Sequence, residues 1–293
     1  MLNNSVVLFS PAKLNLFFRV LTRRDDGYHD VATVMQALSF GDKIRIDRGG
    51  DGDEDLLTGT GPAVLLDRTN LAMRALTLFR ERGGEHFPVR IHIDKKIPPG
   101  GGFGGGSSNA ATVLKGLSLL ADCPLPEEEL AEWSGSLSSD APFFFSSGTA
   151  RCTGRGEQVE EAGDLRSRPS FLRTVWLILS EEGLSTVAVY RGVTPRPGVN
   201  PLASPIGVND LEESAFRLKP SLRTLKEELL AGGLRGVAMT GSGSALFAPR
   251  LPEESVPPLR EGSPLVEKLR TGRIRIIPAH GIFRSRPEWY RVV

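Results

Sequence analysis

A run of seven residues that contains six glycines constrains this chain more than any other feature. It spans residues 100–106, between an alternating segment at 89–94 that predicts a strand and a periodic apolar segment at 109–120 that predicts a helix. Glycine lets the backbone approach a neighbouring group more closely than any side chain permits. The amides at the start of a helix carry partial positive charge and favour an anion. The run therefore predicts a phosphate-binding loop.

Three other interpretations of the glycine run were open. A Walker loop requires a lysine directly after its last glycine, where Ser107 stands, so that interpretation fails. Gly100, Gly102 and Gly105 match the dinucleotide pattern G-x-G-x-x-G formally. The preceding strand alternates, however, whereas a central parallel strand would be uniformly apolar. A flexible linker would not lie between a regular strand and a well-formed helix. The residues favour phosphate binding.

Other polar and aromatic groups are candidates for the same site, each with a structural alternative. Lys13 and Asn15 share the open face of a predicted half-buried strand, where Lys13 alone could be a solvated lysine. Asp140 could cap a helix that starts at the following proline. The aromatic pair at 28–29 could be part of a turn, and residues 240–244 have the composition of a plain hairpin turn. Each signal is weak alone, and together they indicate one active site.

Composition limits the class of protein. Among 293 residues, Lys and Arg total 36 and Asp and Glu total 35, a net charge of +1, which argues against the basic surface of a nucleic-acid binder. Two cysteines allow neither a disulfide framework nor a cysteine-rich metal site. No segment approaches the ~20 apolar residues of a membrane span, and the first residues lack a targeting pattern. We expect a cytoplasmic protein, monomeric or weakly homodimeric, with no nucleic-acid or membrane partner.

Three blocks of sequence resemble the GHMP kinase superfamily, small-molecule kinases whose glycine-rich loop differs from a Walker loop. They are PAKLNL at 11–16, the loop at 98–108 with the Asn-Ala-Ala that follows it, and TGSGS at 240–244. The resemblance implies an α+β fold of two domains with the active site between them. The expected domains are an ATP-binding, ribosomal-S5-like N-terminal domain at 1–155 and a ferredoxin-like C-terminal domain at 156–293.

Two further segments, DGYH at 26–29 and SDAPFF at 139–144, resemble one branch of this superfamily. The branch implies transfer of the ATP γ-phosphate, with Mg²⁺, to the 2-hydroxyl of 4-diphosphocytidyl-2-C-methyl-D-erythritol in the non-mevalonate isoprenoid pathway. Alternatives are another superfamily kinase, acting on mevalonate, homoserine or a sugar, and a catalytically silent relative that senses a nucleotide or small metabolite.

The resemblance also implies roles for individual residues. Lys13 and Asp140 match the catalytic pair. The implied acceptor-binding residues are Asn15 near the reacting hydroxyl, Tyr28 and His29 in the cytosine pocket, and Thr186 and Tyr190 in the segment that closes it. The implied ATP-binding residues are Pro98, Pro99, Gly100, Gly101, Gly102, Phe103, Gly104, Gly105, Gly106, Ser107 and Ser108 in the loop, with Asn70 and Lys95 near the adenosine. No protein residue is implied as a metal ligand.

Two features depart from the family pattern. Ser138 stands where the family usually has glycine, and a positive φ there would strain a serine. The segment after Pro249 matches nothing in the family pattern, so no role is carried into it.

Overall fold

The computed structural model describes residues 4–49, 54–61, 64–162, 174–180, 183–198, 204–251, 254–260 and 263–282. Its first sheet has strand order β3-β4-β2-β5-β6, with β1 also paired to β2. Among the strand pairs of this sheet in the described residues, only β3–β4 is parallel. The strands are β1 (Ser5–Arg23), β2 (His29–Arg48), β3 (Leu56–Thr60), β4 (Val89–Asp94), β5 (Thr149–Thr153) and β6 (Gln158–Glu161).

Helices cover the first sheet and supply most of its core. They are α1 (Leu71–Glu81), α2 (Gly105–Leu120), α3 (Glu127–Ser134) and a short 3₁₀ helix at Pro142–Phe145. The buried face of α1 recurs at helical spacing, with Ala72, Ala75, Leu76 and Phe79 inside, as its sequence predicts. In α2 nearly every side chain is buried, so this helix is held on several sides and its N-terminus is fixed in place.

The second sheet is smaller and antiparallel throughout, in the order β10-β7-β9-β8. Its strands are β7 (Thr174–Ser180), β8 (Ala238–Met239), β9 (Leu246–Pro249) and β10 (Ile274–His280). Its helices are α4 (Thr186–Arg191), α5 (Glu212–Leu218), α6 (Pro220–Ala231) and α7 (Pro264–Arg270). Strand β10 and helix α7 lie after Pro249, in the segment that matched no family pattern.

Several backbone hydrogen bonds join the part of the chain that carries the first sheet to the part that carries the second. Phe18 of β1 donates its N–H to the Val208 carbonyl at 2.8 Å and accepts from the Asp210 N–H at 2.9 Å. After β10 the chain reaches β2, where the Ile282 N–H donates to the Ala37 carbonyl at 2.8 Å. The cavity described below is therefore bounded by elements that are fixed to one another. The expected domain boundary at 155/156 falls in the turn between β5 and β6, and stays a prediction.

One expectation about β1 is wrong. The alternating sequence predicted an open face that carries Lys13 and Asn15, but these residues are only 3% and 2% exposed. The face is covered because the glycine run and the turn at 240–244 pack over it: the Lys13 N–H donates to the Phe103 carbonyl at 2.9 Å, and the Asn15 N–H to Thr240 Oγ1 at 3.1 Å. An alternating pattern shows which face of a strand carries polar side chains. It does not show whether that face contacts water or the backbone of another segment.

Candidate active site

A cavity of about 1240 Å³ lies between the two sheets. One end, here the glycine end, is formed by the loop at 98–106 and the start of α2. The other, here the aromatic end, is formed by Tyr28, His29 and Tyr190. The cavity therefore brings together segments that are far apart in the sequence.

At the glycine end the backbone adopts conformations that side chains would prevent. Gly100, Gly102 and Gly104 have φ values of 69°, 78° and 68°, in the left-handed region that favours glycine. A Cβ on Gly102 would lie 2.2 Å from the Thr240 carbonyl oxygen. The run is thus a tightly fitted turn against residues 240–244, and the linker interpretation is wrong.

Helix α2 begins earlier than its sequence predicts. Its first residue is Gly105 rather than Asn109, and Gly104 precedes it without a side-chain cap. The first-turn amides of a helix have no intrahelical acceptor, and they open here at the cavity. Ser107 in that turn shares a hydrogen bond of 2.7 Å with Ser138. The chemistry of this end is that of an anion site built from backbone donors.

Lys13, Asn15 and Asp140 meet beside the glycine run. Lys13 Nζ donates to Asn15 Oδ1 at 2.6 Å and lies 3.3 Å from Asp140 Oδ2. The Asn15 amide donates in turn to Thr33 Oγ1 at 3.0 Å. The Asp140 side chain is 29% exposed, so its carboxylate faces both the ammonium group and the cavity. A cation, a carboxylate and an anion site at this spacing suit transfer of a charged group to a hydroxyl.

The alternative in which Asp140 caps a helix does not describe the structure. The 3₁₀ helix starts at Pro142, the residue before it is Ala141, and it has no side-chain capping bond. Ser138, the departure from the family pattern, places its hydroxyl on Ser107 and 3.4 Å from the Asp140 N–H. It links the segment of Asp140 to the start of α2.

Asn70 and Lys95, expected near the adenosine, line the same cavity. Asn70 caps α1, because its Oδ1 accepts an amide N–H from the first turn at 2.9 Å. Lys95 forms an ion pair with Asp42, whose carboxylate is fully buried. The same carboxylate accepts the backbone N–H groups of Lys96 and Ile97 at 2.7 and 2.8 Å. Sequence reasoning missed Asp42. Asp42 stands between a glycine and a lysine, a context that carries no local signal of burial.

The aromatic end holds the remaining expected residues. The His29 ring lies 5.4 Å from that of Tyr190 at an interplanar angle of 35°. Burial, with a smaller contribution from Arg23, lowers the pKa of His29 below its ordinary value, and burial raises the pKa of Tyr190. Tyr28 is 54% exposed. Thr186, at the start of α4, bonds to Ser242 Oγ at 2.9 Å.

Sequence reasoning also missed Arg155, which lines the cavity, and Asn209, which does not line it but supports it from behind. Arg155 lines the aromatic end in the turn between β5 and β6, where the sequence suggested only a domain boundary. Asn209 lies behind the site and donates from Nδ2 to the carbonyls of Met239 and Gly241, at 2.9 and 2.8 Å. It holds the turn that faces Lys13, and nothing local in the sequence signals this contact.

Comparison with known proteins identifies the family. Profiles described as GHMP kinases N terminal domain and GHMP kinases C terminal match residues 70–148 and 199–257. The chain is 43% identical over 250 residues to the 4-diphosphocytidyl-2-C-methyl-D-erythritol kinase of Protochlamydia amoebophila, covering 83% of this chain and 84% of that protein. The chain belongs to the GHMP kinases.

Further relatives place this GHMP kinase in the same branch. A 4-diphosphocytidyl-2-C-methyl-D-erythritol kinase of Chlamydia muridarum is 34% identical, over 97% of this chain and 98% of that protein. The chloroplastic/chromoplastic kinase of that name from Solanum lycopersicum is 40% identical, covering 85% of this chain, and this chain spans only 65% of its length. The predicted family is confirmed.

Solved structures agree on the fold. A crystal structure of 4-(cytidine 5'-diphospho)-2C-methyl-D-erythritol kinase superposes with a TM-score of 0.70 at 33% identity, covering 94% of this chain and 99% of that one. A homoserine kinase of Cytophaga hutchinsonii superposes with a TM-score of 0.72 over 100% of this chain and 98% of that one, at 14% identity, which shows the fold alone. The expected two-domain GHMP kinase fold is confirmed. Within the described residues, no helix combines the length and apolarity needed to span a membrane.

Proposed function

We propose that this chain transfers the γ-phosphoryl group of ATP to the 2-hydroxyl of 4-diphosphocytidyl-2-C-methyl-D-erythritol, a step of the non-mevalonate isoprenoid pathway. The relatives that carry this name over most of the chain support the reaction. The observation that carries the mechanism is the Lys13–Asp140 pair, 3.3 Å apart at the mouth of the glycine end.

The ATP phosphates occupy the glycine end in this proposal. Residues 98–108 supply backbone donors and the start of α2, whose partial positive charge favours the β- and γ-phosphates. The adenosine extends toward Asn70 and Lys95, which line the same cavity. Since Asp42 holds Lys95 and the two amides after it, the approach to the loop is rigid before ATP binds.

Lys13 and Asp140 carry out the chemistry. As the acceptor oxygen forms its bond to the γ-phosphorus and the bond to the ADP oxygen breaks, the hydroxyl proton passes to the Asp140 carboxylate. Lys13 stabilises the negative charge on the transferring group, and Asn15 holds the ammonium in position. Phosphoryl transfer depends mainly on alignment and charge stabilisation, so orientation contributes more than base strength.

Mg²⁺ is part of the proposal, and the residues at this end fit an ion carried by ATP. Mg²⁺ typically uses one or two carboxylates together with substrate phosphates and water. Asp140 is the carboxylate beside the start of α2, and Ser107 presents a hydroxyl there. Within the described residues no group of three or more His, Cys, Asp or Glu side chains forms a separate metal site. When bound, the ion neutralises part of the phosphate charge.

The cytidine of the acceptor occupies the aromatic end. Tyr28 offers an exposed ring for stacking. His29, whose pKa is lowered by burial, is neutral at pH 7 and so presents one donor and one acceptor nitrogen. Thr186 and Tyr190 on α4 close the pocket from the second sheet.

The test is ADP release in the presence of ATP, Mg²⁺ and 4-diphosphocytidyl-2-C-methyl-D-erythritol, with mevalonate, homoserine and galactose in parallel. We expect turnover with the cytidylyl acceptor only, and none in a Lys13→Ala control, which excludes a contaminating kinase. Turnover with another acceptor would replace the substrate assignment. ATP binding without turnover on any acceptor would favour a nucleotide sensor.

The proposal includes a cytoplasmic, monomeric or weakly dimeric enzyme that acts without nucleic-acid partners. Plant relatives are named chloroplastic. Fractionation of the source cells and light scattering of the purified protein between 1 and 100 µM (roughly the range in which weak dimers form) test these points.

A further inference from the structure

The turn between β5 and β6 places an arginine in the wall of the cavity, beside Tyr28. Gly154 and Gly156 on either side of Arg155 have φ values of 68° and 116°, which fold the backbone into a tight turn. Strand β2 also holds the turn in place, because the Val31 N–H donates to the Gly154 carbonyl at 2.7 Å. The position of Arg155 is thus set by backbone contacts.

The Arg155 side chain contacts the aromatic end, and the residue after it lies near the reacting groups. Its guanidinium carbon is 4.9 Å from the centre of the Tyr28 ring. The next residue, Gly156, is close to Asp140: a Cβ there would be 3.7 Å from Asp140 Oδ1. A ligand that extends from Tyr28 to Asp140 must pass this arginine.

Two carboxylates, Glu157 and Asp26, partly compensate the charge of Arg155. Its ion pair with Glu157 joins Nε and Oε1 at 3.7 Å, longer than a hydrogen bond. The side chain is 32% exposed and lines the cavity. A guanidinium group in this position can bind an anion with two parallel hydrogen bonds.

The acceptor in the proposed function has an anion at the corresponding point. Its diphosphate joins the cytidine to the methylerythritol unit that carries the reacting hydroxyl. With the cytosine at Tyr28 and the hydroxyl at Asp140, the diphosphate lies next to Arg155. We propose that Arg155 binds this diphosphate and makes the site specific for a cytidine diphosphate compound. The inference rests on the proposed function.

The local structure allows the side chain to be tested without loss of the turn. Glu157 Oε2 accepts the backbone N–H of Arg155 at 2.6 Å, a contact that any residue at this position can make. Arg155→Gln retains a long polar side chain and removes the charge. The matched control is Arg151→Gln, which alters an arginine on the same hairpin whose partner is Glu160 at 3.3 Å.

The experiment compares binding of CDP and cytidine by calorimetry, with a saturating non-hydrolysable ATP analogue to block the glycine end. We expect Arg155→Gln to weaken CDP about 10- to 100-fold, the range for lost charge-assisted hydrogen bonds, and to change cytidine binding less than about twofold. CDP binding to the unmodified protein should weaken with added salt more steeply than CDP binding to the variant. The KM for the acceptor should rise in parallel, with the KM for ATP and kcat retained.

Two results would overturn this inference. Unchanged CDP binding in Arg155→Gln would show that the diphosphate lies elsewhere. An equal loss for CDP and cytidine would show that Arg155 acts only by supporting Tyr28. In both cases the unmodified protein binds CDP and the proposed function stands. If it binds neither cytidine ligand while it phosphorylates another acceptor, the proposed function fails, and this inference with it.

Discussion

Polar side chains at the glycine end are buried and form hydrogen bonds and ion pairs with distant parts of the chain. At the aromatic end, in contrast, the ring of Tyr28 is exposed. Lys13, Asn15 and Asp42 are almost fully enclosed, and their partners come from β2, the 240–244 turn and the segment that leads into the glycine run. Tyr28 is held by its own turn, through Asp26 Oδ1 at 3.0 Å, and by Arg155 above its ring.

This difference matches the demands of the two tasks. Phosphoryl transfer loses rate when the reacting groups are misplaced by about 1 Å, so the glycine end must be assembled before ATP arrives. Stacking on a base tolerates small displacements and continues to work on an exposed surface. Substitutions at the glycine end should therefore reduce kcat or stability, and those at the aromatic end should raise the KM of the acceptor.

The largest effect is expected from Asp140→Asn. Loss of the proton acceptor should lower kcat about 10²–10⁴-fold, with the KM of both substrates little changed, as measured by steady-state ADP release. Asp122→Asn, at an exposed carboxylate paired with Arg48, is the control. Retention of more than about a tenth of the turnover would rule out a general base at this position.

Gly102→Ala tests the rigidity of the glycine end. The added Cβ would lie 2.2 Å from a carbonyl oxygen at a residue with φ of 78°, so we expect a loss of about 3 kcal/mol in unfolding free energy from steric overlap and strain. Urea unfolding measures it, together with the KM for ATP. Gly183→Ala, with open space around its Cα, should cost little. Equal stability of the two variants would mean that the loop adapts easily.

Tyr28→Ala addresses the aromatic end. Removal of the ring should weaken acceptor binding by about 1–3 kcal/mol, the range for base stacking on an aromatic side chain, and leave ATP binding nearly unchanged. Tyr28→Phe keeps the ring and should behave like the unmodified protein. A comparable loss for ATP and acceptor would show that Tyr28 supports the whole cavity, which would remove the contrast between the two ends.

The smallest effect concerns pH. Because the pKa of His29 is lowered in the folded state, the unfolded chain binds a proton there more readily, and stability falls as the pH drops below about 6.5. In His29→Gln the urea midpoint should therefore decline less than in the unmodified protein when the pH falls from about 7.5 to about 5.5. This window covers roughly one unit either side of the pKa of an ordinary histidine. The control is His86→Gln, at an exposed histidine, which should leave the change of the urea midpoint with pH as it is in the unmodified protein. The same change with pH in both variants would contradict the burial of His29.

Much of the secondary structure could be predicted because its signals are local. The cap at Asn70, the alternation that gives β4 as Val89–Asp94 and the acidic start of α3 lie within a few residues of the elements they define. The glycine run likewise indicated an anion site, since six glycines before a helix allow few other uses. The family resemblance added the reaction and the names of the expected site residues.

The sequence by itself determined several of the elements, the anion-binding loop and the family. Only the tertiary structure decided that the face of β1 with Lys13 is enclosed, that Asp42 holds Lys95, that Asn209 holds the 240–244 turn and that Arg155 lies over the Tyr28 ring. These contacts join residues separated by 30 to 225 positions. Local propensity carries no information about them, because their free energy depends on which distant backbone covers each polar group.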